Sequence, residues 1–356
     1  MLLKIKRRIG PSLIEITIPV LGVILACMVG AVIITIMGYS ASDAYLALLK
    51  GSLGSWSAVT VTISRAVPLI LIGLAVAVAR SVGVFNIGGG GQLMMGAITA
   101  VVVGHYVTGL PHILHIVLTL GASMVAGMLW ILIPALLHSN KNINIVFTTI
   151  MFNYIANFFL LYCVNGPLKD PTSESSVLVQ NTARLTNLVN APGIMNTGII
   201  IIAVVFVIIT IFLYKTVFGY EIRAVGKNIS AAISAGIKQN ETIFIALLLS
   251  GLLAGLCGGI DITGQLGRLY LSYNPNYGFT GITVCLLARN KPLGIIIAGL
   301  LFGILYNGAT RMQSSIGLPS DLIEIIQGLI IIFICLEYLF RNILDNMKRK
   351  GDKVNA

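Results

Sequence analysis

Long apolar runs alternate with short polar stretches along the whole chain, a pattern too coarse for a water-soluble fold. A hydrocarbon core about 30 Å thick takes roughly 20 apolar residues per helix. By that measure the sequence predicts elements near 15–38, 57–79, 84–104, 113–137, 145–164, 196–214, 243–263, 276–288, 292–310 and 320–340. The eighth is too short to cross as one straight helix and is expected to be broken or re-entrant. Pro19, Pro68 and Pro134 fall inside other runs, where each predicts a kink. Two longer polar stretches interrupt the pattern: a turn-rich one at 166–195 and another at 215–241. The expected fold is an all-α polytopic membrane protein with about ten transmembrane elements, forming one domain over 1–356.

Composition removes the soluble alternative. Of 356 residues, 57% are hydrophobic and only 10% charged, against roughly 25% charged in a typical soluble domain. The 23 Lys and Arg outnumber 12 Asp and Glu, for a net charge of +11. In a soluble protein that excess would point to nucleic acid. Its placement gives another reason for it. With the amino terminus in the cytoplasm, 17 of the 23 basic residues fall in inside segments. Lys50, Arg65, Lys169, Arg184, Arg268 and Arg311 remain outside. The positive-inside rule then predicts a multi-pass protein of the cell membrane with both termini cytoplasmic. It places 166–195 outside and 215–241 inside. The lipid bilayer is the expected partner, and no nucleic acid is. The start imitates a lipoprotein signal at Leu25-Ala26-Cys27, but the apolar run continues to Met37 and Leu25 is bulky, so a retained helix is expected. Cys27, Cys163, Cys257, Cys285 and Cys335 are scattered with no C-x-x-C, and read as small core residues.

Catalytic chemistry finds little support. Gly226-Lys227-Asn228 lacks both the upstream glycine and the following hydroxyl of a phosphate-binding loop. No catalytic triad is suggested, and neither a cofactor nor a metal is expected on this chain. His105, His112 and His115 surround one outer loop without an acidic or cysteine ligand nearby, as interfacial histidines do. Among the acids, Glu15 and Glu337 lie at helix ends, and Asp321 and Glu324 in a first helical turn; Asp261 alone is deep. Intramembrane acids are the usual mark of ion coupling, so an ion-coupled carrier is the disfavoured alternative.

Glycine, at 38 residues, is over-represented. Gly88, Gly89, Gly90 and Gly91 are consecutive within the third span, where each costs a helix about 1 kcal/mol against alanine. They predict an unwound stretch at membrane depth lining a pathway, bracketed by the amides of Asn86 and Gln92. The alternative is a helix-packing glycine cluster whose amides bond neighbouring helices. In the polar segment 215–241, Asn228 suits an N-cap and Gly236 a C-terminal stop for a two-turn helix. Ile229 and Ile233 would share one face, with Ala231, Ala232 and Ala235 keeping it slim. So short a helix needs a partner to dock against.

These segments carry a family resemblance. The chain resembles permease subunits of ABC importers of the ribose/branched-chain amino acid class, especially the nucleoside or simple-sugar branch. Phe85-Asn-Ile-Gly, then Gly91-Gln92 and Gly96-Ala97, is similar to that branch's F-N-I-G-x-E-G-Q signature. Glu221 to Ile237 resembles its R-A-x-G-x-N-x-x-A-A-x-x-x-G-I loop, the coupling helix that contacts the ATPase. Ser250-Gly251, Leu253 to Leu256, Tyr277 to Thr283, Arg289-Asn290, Pro292 to Gly294, Gly308-Ala309 and Met312-Gln313 continue the likeness, over roughly 60–335. Two positions depart from it: Gly90, where the family has an acidic residue, and Ala288, where it usually has glycine.

The resemblance implies two inverted halves with broken helices around a central pathway. Asn86, Gly88 to Gly91, Gln92, Tyr277 and Phe279 would line it. Glu221, Arg223, Gly226, Asn228, Ala231, Ala232 and Gly236 would couple it to the ATPase. The implied partners are an ATP-binding subunit that consumes the ATP, a second homologous permease and an extracellular solute-binding (lipo)protein. The expected cargo is a nucleoside, with simple sugars such as ribose or branched-chain amino acids as alternatives.

Overall fold

The computed structural model describes residues 11–189, 195–273 and 277–319, with scattered helical positions between 322 and 333. The tenth expected span, 320–340, therefore lies mostly outside the described residues. The other nine expected elements each contain a helix. The protein is a nearly all-helical, polytopic membrane protein, and among the described residues six helices are long and apolar enough to cross a bilayer. The described residues form two compact units, 56–303 and a smaller one made of residues up to 55 and from 304 onward.

The smaller unit holds α1 (Pro11–Ile36) and α2 (Ala41–Leu53). Helix α2 lies outside the ten predicted elements. At 13 residues it is too short to span, and Asp43 and Lys50 lower its hydropathy. Its own signal is the spacing of buried Ala44, Leu48 and Ser52, one face of a helix. Tyr45 donates its hydroxyl hydrogen to the Cys27 carbonyl at 2.6 Å, tying α2 to α1.

The larger unit holds α3 (Trp56–Ser81), α4 (Gly89–Tyr106), α5 (His112–Lys141), α6 (Ile145–Asn165), α7 (Gly198–Lys215), α8 (Val217–Lys227), α9 (Ile229–Ser234), α10 (Gln239–Asp261), α11 (Tyr277–Leu287) and the first part of α12 (Pro292–Ile316). Burial places α3 and α10 at the centre of this unit: 83% of the apolar window of α3 is buried and 72% of that of α10, against 22% for α6 and α7. Pro68 within α3 has no N–H to offer the Ser64 carbonyl one turn earlier. The side-chain amide of Gln265 donates to that carbonyl instead, at 3.0 Å, satisfying the freed group from a neighbouring helix as lipid requires.

Helices α4, α5 and α10 meet backbone on backbone. A Cβ at Gly96 would overlap the Gly255 carbonyl, and one at Gly127 would lie 2.6 Å from the Gly255 Cα. Only glycine permits that approach. Helix α4 packs on α10 rather than on α3, which precedes it, and α11 packs on α3 rather than on α10.

The 166–195 stretch forms a turn-rich cap, as the sequence predicts; its residues 190–194 lie outside the described residues. Isolated antiparallel bridges pair Lys169 with Ser176, Ser175 with Tyr270 and Asn187 with Asn196. The amides of Val179 and Leu185 donate to the Gly267 and Thr263 carbonyls, each at 2.9 Å, and fasten the cap to the end of α10. The outer histidines serve the same purpose: His105 bonds the Leu178 carbonyl, His112 the Thr182 carbonyl and Thr186 hydroxyl, and buried His115 the Thr182 hydroxyl. Asp170 accepts from the backbone N–H and hydroxyl of Thr172, which together with nearby Arg268 hold its carboxyl below the ordinary value.

Candidate functional site

The break between α3 and α4 begins with a sequence-coded stop. Gly83 has φ +88, its N–H donates to the Arg80 carbonyl, and the Val84 N–H reaches back to the Ala79 carbonyl. This is a Schellman reversal, which needs a left-handed residue. The chain then runs extended through Val84 to Ile87 before α4 starts. The unwound residues are thus 82–87, one step earlier than the glycine run itself. Gly88 is the N-cap, and Gly89 to Gly91 form the first turn of α4.

That turn is possible because its orphan N–H groups are satisfied from outside. Gly88 N–H donates to the Asn86 Oδ1 at 2.9 Å, and Gly91 N–H to the Asn153 Oδ1 of α6 at 2.8 Å. Asn153 also donates its Nδ2–H to the Ile87 carbonyl at 3.0 Å, so one side chain holds both sides of the break. The sequence reading passed over Asn153. Its signal was an amide in the middle of a lipid-length apolar run, where polar groups are costly and therefore purposeful.

Asn86 and Gln92 are 2% and 1% exposed and bond each other twice. Nδ2 of Asn86 donates to Oε1 of Gln92 at 3.0 Å, and Nε2 of Gln92 to Oδ1 of Asn86 at 3.1 Å. A further Asn86 donation reaches the Ser250 hydroxyl of α10 at 2.9 Å. Gly88, Gly89, Gly90 and Gly91 are buried as well. Their smallness admits α11: a Cβ on Gly278 would lie 2.6 Å from the Gly90 nitrogen. Gly90 itself has room, since a Cβ there would meet nothing nearer than the Asn153 Oδ1 at 3.9 Å. The first turns of α4 and α11 therefore abut, with their positive dipole ends together. Three aromatic residues lie close to these turns in the sequence. Phe279 is 58% exposed and Phe85 37%, while Tyr277 is half-buried. The Arg80 guanidinium lies 4.5 Å over the Phe85 ring, within cation–π range.

The second break follows α10. A single π turn, Ile262–Leu266, ends at Gly267 with φ +70, the kind of bulge found at functional sites. Asp261, buried at its start, accepts the Tyr273 hydroxyl hydrogen at 2.9 Å. The short element predicted at 276–288 is the eleven-residue α11.

In the 215–241 segment, the two-turn helix expected between Asn228 and Gly236 is α9. Asn228 Oδ1 accepts from the Ala231 N–H at 3.1 Å, and Gly236 has φ +83. Ile237 N–H closes the end on the Ala232 carbonyl at 3.0 Å. Ala232 is buried and Ala231 exposed, while Ile229 and Ile233 are 45% and 53% exposed. The sequence reading did not place α8 before it. That helix is capped by Thr216, whose hydroxyl accepts from the Gly219 N–H at 3.0 Å, and it buries Gly219, Ile222 and Val225. Glu221 is half-buried beside it. Arg223 donates through Nε to the Gly219 carbonyl and lies 5.0 Å over the Tyr214 ring. Gly226, in the last turn of α8, sits against Ser81 and Gly83.

The sequence matches the family described as "Branched-chain amino acid transport system / permease component" over residues 58–335. It is 34% identical to the guanosine ABC transporter permease protein NupP of Bacillus subtilis, over 95% of this chain and 98% of that one. It is 33% identical to the glucose ABC transporter permease protein TsgB13 of Haloferax volcanii, over 94% and 91%. Against the nucleoside ABC transporter permease protein NupB of Lactococcus lactis subsp. cremoris the identity is 31%, over 95% and 98%. No solved structure gives a significant match.

Proposed function

We infer the function of this chain from a membership that is plain: it belongs to the family of permease components of branched-chain amino acid transport systems, and is an ABC transporter permease subunit. As the chain carries no phosphate-binding loop of its own, ATP is hydrolysed by a separate ATP-binding partner. The cargo we propose is a nucleoside, imported. The observation that carries this reading is the junction of α4 and α11, whose first turns meet at Gly90 and Gly278, with exposed Phe279 beside Gly278 in the sequence. Flat rings suit the face of a base or a sugar, and nucleoside- and guanosine-named relatives align over nearly the full chain. Tyr277 and the space at Gly90 belong to the same wall. Asn86, Gln92 and Gly88 to Gly91 serve it from behind, by fixing the bend. One chain offers one wall, which a second homologous permease completes.

The basic residues put both termini and 215–241 in the cytoplasm. There α8 and α9, with Glu221, Arg223, Gly226, Asn228, Ala231, Ala232 and Gly236, receive the ATP-binding subunit. The 166–195 cap then faces outward, toward a solute-binding (lipo)protein. A second reading, a simple sugar as cargo, is favoured by the glucose-named relative.

The test is uptake into proteoliposomes holding this chain and its partners, with labelled nucleosides, glucose, pentoses and branched-chain amino acids, with and without ATP. ATP-dependent nucleoside uptake is expected. Uptake that follows a proton or sodium gradient and ignores ATP overturns the reading.

A further inference from the structure

Gly226 has no conformational reason to be glycine. It lies in the last turn of α8 at ordinary helical dihedrals, where glycine weakens a helix relative to alanine. Its reason is proximity. A Cβ there would overlap the Ser81 carbonyl oxygen, 2.9 Å from the Ser81 carbonyl carbon and 3.1 Å from the Gly83 nitrogen. Reciprocally, a Cβ on Gly83 would lie 3.5 Å from the Gly226 Cα. Helix α8 thus rests by bare backbone on the turn that ends α3.

We propose that this contact between Gly226 and the Ser81–Gly83 turn is the joint through which movement of the α8–α9 segment reaches the broken entry of α4, with Gly226 and Gly83 as positioning residues for transport. The proposal rests on reading α8–α9 as the surface that receives the ATP-binding subunit.

The joint has no slack on either side. Toward the partner, exposed Ile229 and Ile233 of α9 connect to α8 through Asn228, whose backbone N–H bonds the Ala224 carbonyl and whose side chain caps α9. Buried Ile222 and Val225 seat α8 itself. Toward the pathway, Val82, Gly83 and Val84 are each held by a backbone hydrogen bond to the last turn of α3. Two residues beyond Gly83 stands Phe85, under the Arg80 guanidinium, followed by Asn86, fixed to Gln92 and Ser250. A third element meets the joint: Asn290, at φ +60 in the turn between α11 and α12, donates to the Ser81 hydroxyl at 3.0 Å. Displacing Gly226 therefore moves the entry to α4 and the root of α11 together. No flexible linker lies between to absorb the motion.

The assay is the ratio of nucleoside imported to ATP hydrolysed by the reconstituted complex. Low stability alone lowers both quantities; a broken joint lowers their ratio. Gly226→Val wedges the contact open, and the ratio is expected to fall roughly tenfold, a typical coupling factor. Gly226→Ala is expected to fall between. An unchanged ratio in Gly226→Val overturns the proposal. Should Gly226→Val fail to assemble, Gly226→Ala decides, and an unchanged ratio there overturns it. ATP-independent uptake by the unaltered complex refutes the underlying function instead, and is recognised before any variant is compared.

Discussion

Replacing Asn86 by leucine separates a side chain that holds the fold from one that touches cargo. Leucine keeps the same branched heavy-atom skeleton, so the change is chiefly one of hydrogen bonding. It strands the Gln92 amide, the Gly88 N–H and the Ser250 hydroxyl, each of which Asn86 now satisfies. Hydrogen bonds between membrane helices are worth about 0.6 kcal/mol on average and up to about 1.7. Three stranded groups therefore cost about 2–5 kcal/mol. At about 2–4 °C per kcal/mol, purified Asn86→Leu complex should unfold roughly 4–20 °C below the unaltered one. The double variant Asn86→Leu/Gln92→Leu removes both amides at once and leaves fewer groups stranded. Its loss should be clearly less than the sum of the two single losses, the non-additivity expected of directly bonded partners. Thermal unfolding of the detergent-solubilised complex reads all three. A stable Asn86→Leu with unchanged melting and a raised KM for import would refute the reasoning, because it would make Asn86 a cargo contact and not a brace.

Other outcomes follow from the same geometry. Gly90→Glu should fold and preserve or raise import, since a Cβ there meets nothing nearer than the Asn153 Oδ1 at 3.9 Å; loss of folded protein would contradict the room at this position. Gly255→Ala should destabilise by about 1–3 kcal/mol through overpacking, seen as lowered thermal stability, because its Cβ would strike the Ser123 carbonyl and Gly127 backbone. Gly236→Pro should abolish import and ATPase stimulation yet leave membrane insertion intact, because proline cannot adopt φ +83; unchanged coupling would remove α9 from the coupling path. Asp170, whose carboxyl is held below its ordinary value first by Thr172, steadies the cap fully above pH about 4. That contribution is lost as pH falls through the lower folded value, so proteolysis of the cap should rise at acidic pH, and Asp170→Asn should show that sensitivity already at neutral pH.

What the sequence made legible were features coded locally. Apolar run length located the long helices, and Asn228 with Gly236 bounded α9 through cap chemistry that acts within a few residues. The short α11 was visible as a short run. Hidden were the features that depend on which helices meet. The four glycines predict unwinding by propensity alone, yet three of them are helical, because Asn153 arrives from α6 to satisfy the turn. Nothing local to Asn86 names Ser250, 164 residues later, as its partner. The open aromatic wall was half legible: Tyr277 and Phe279 stood in a recognisable motif, while Phe85 was read as part of a signature and not as surface.

The backbone-on-backbone seating of α4, α5 and α10 has a mechanical consequence. Side chains interdigitated across a helix interface can change rotamer and let one helix slip past another. Bare glycine backbones at Gly96, Gly127 and Gly255 have no rotamers to change. Sliding would drive a carbonyl oxygen into a Cα, so these three helices behave as one keel. Any motion that opens the pathway to one side and closes it to the other must rotate that keel as a block. The bending is then left to interruptions outside it, among them the π turn before Gly267.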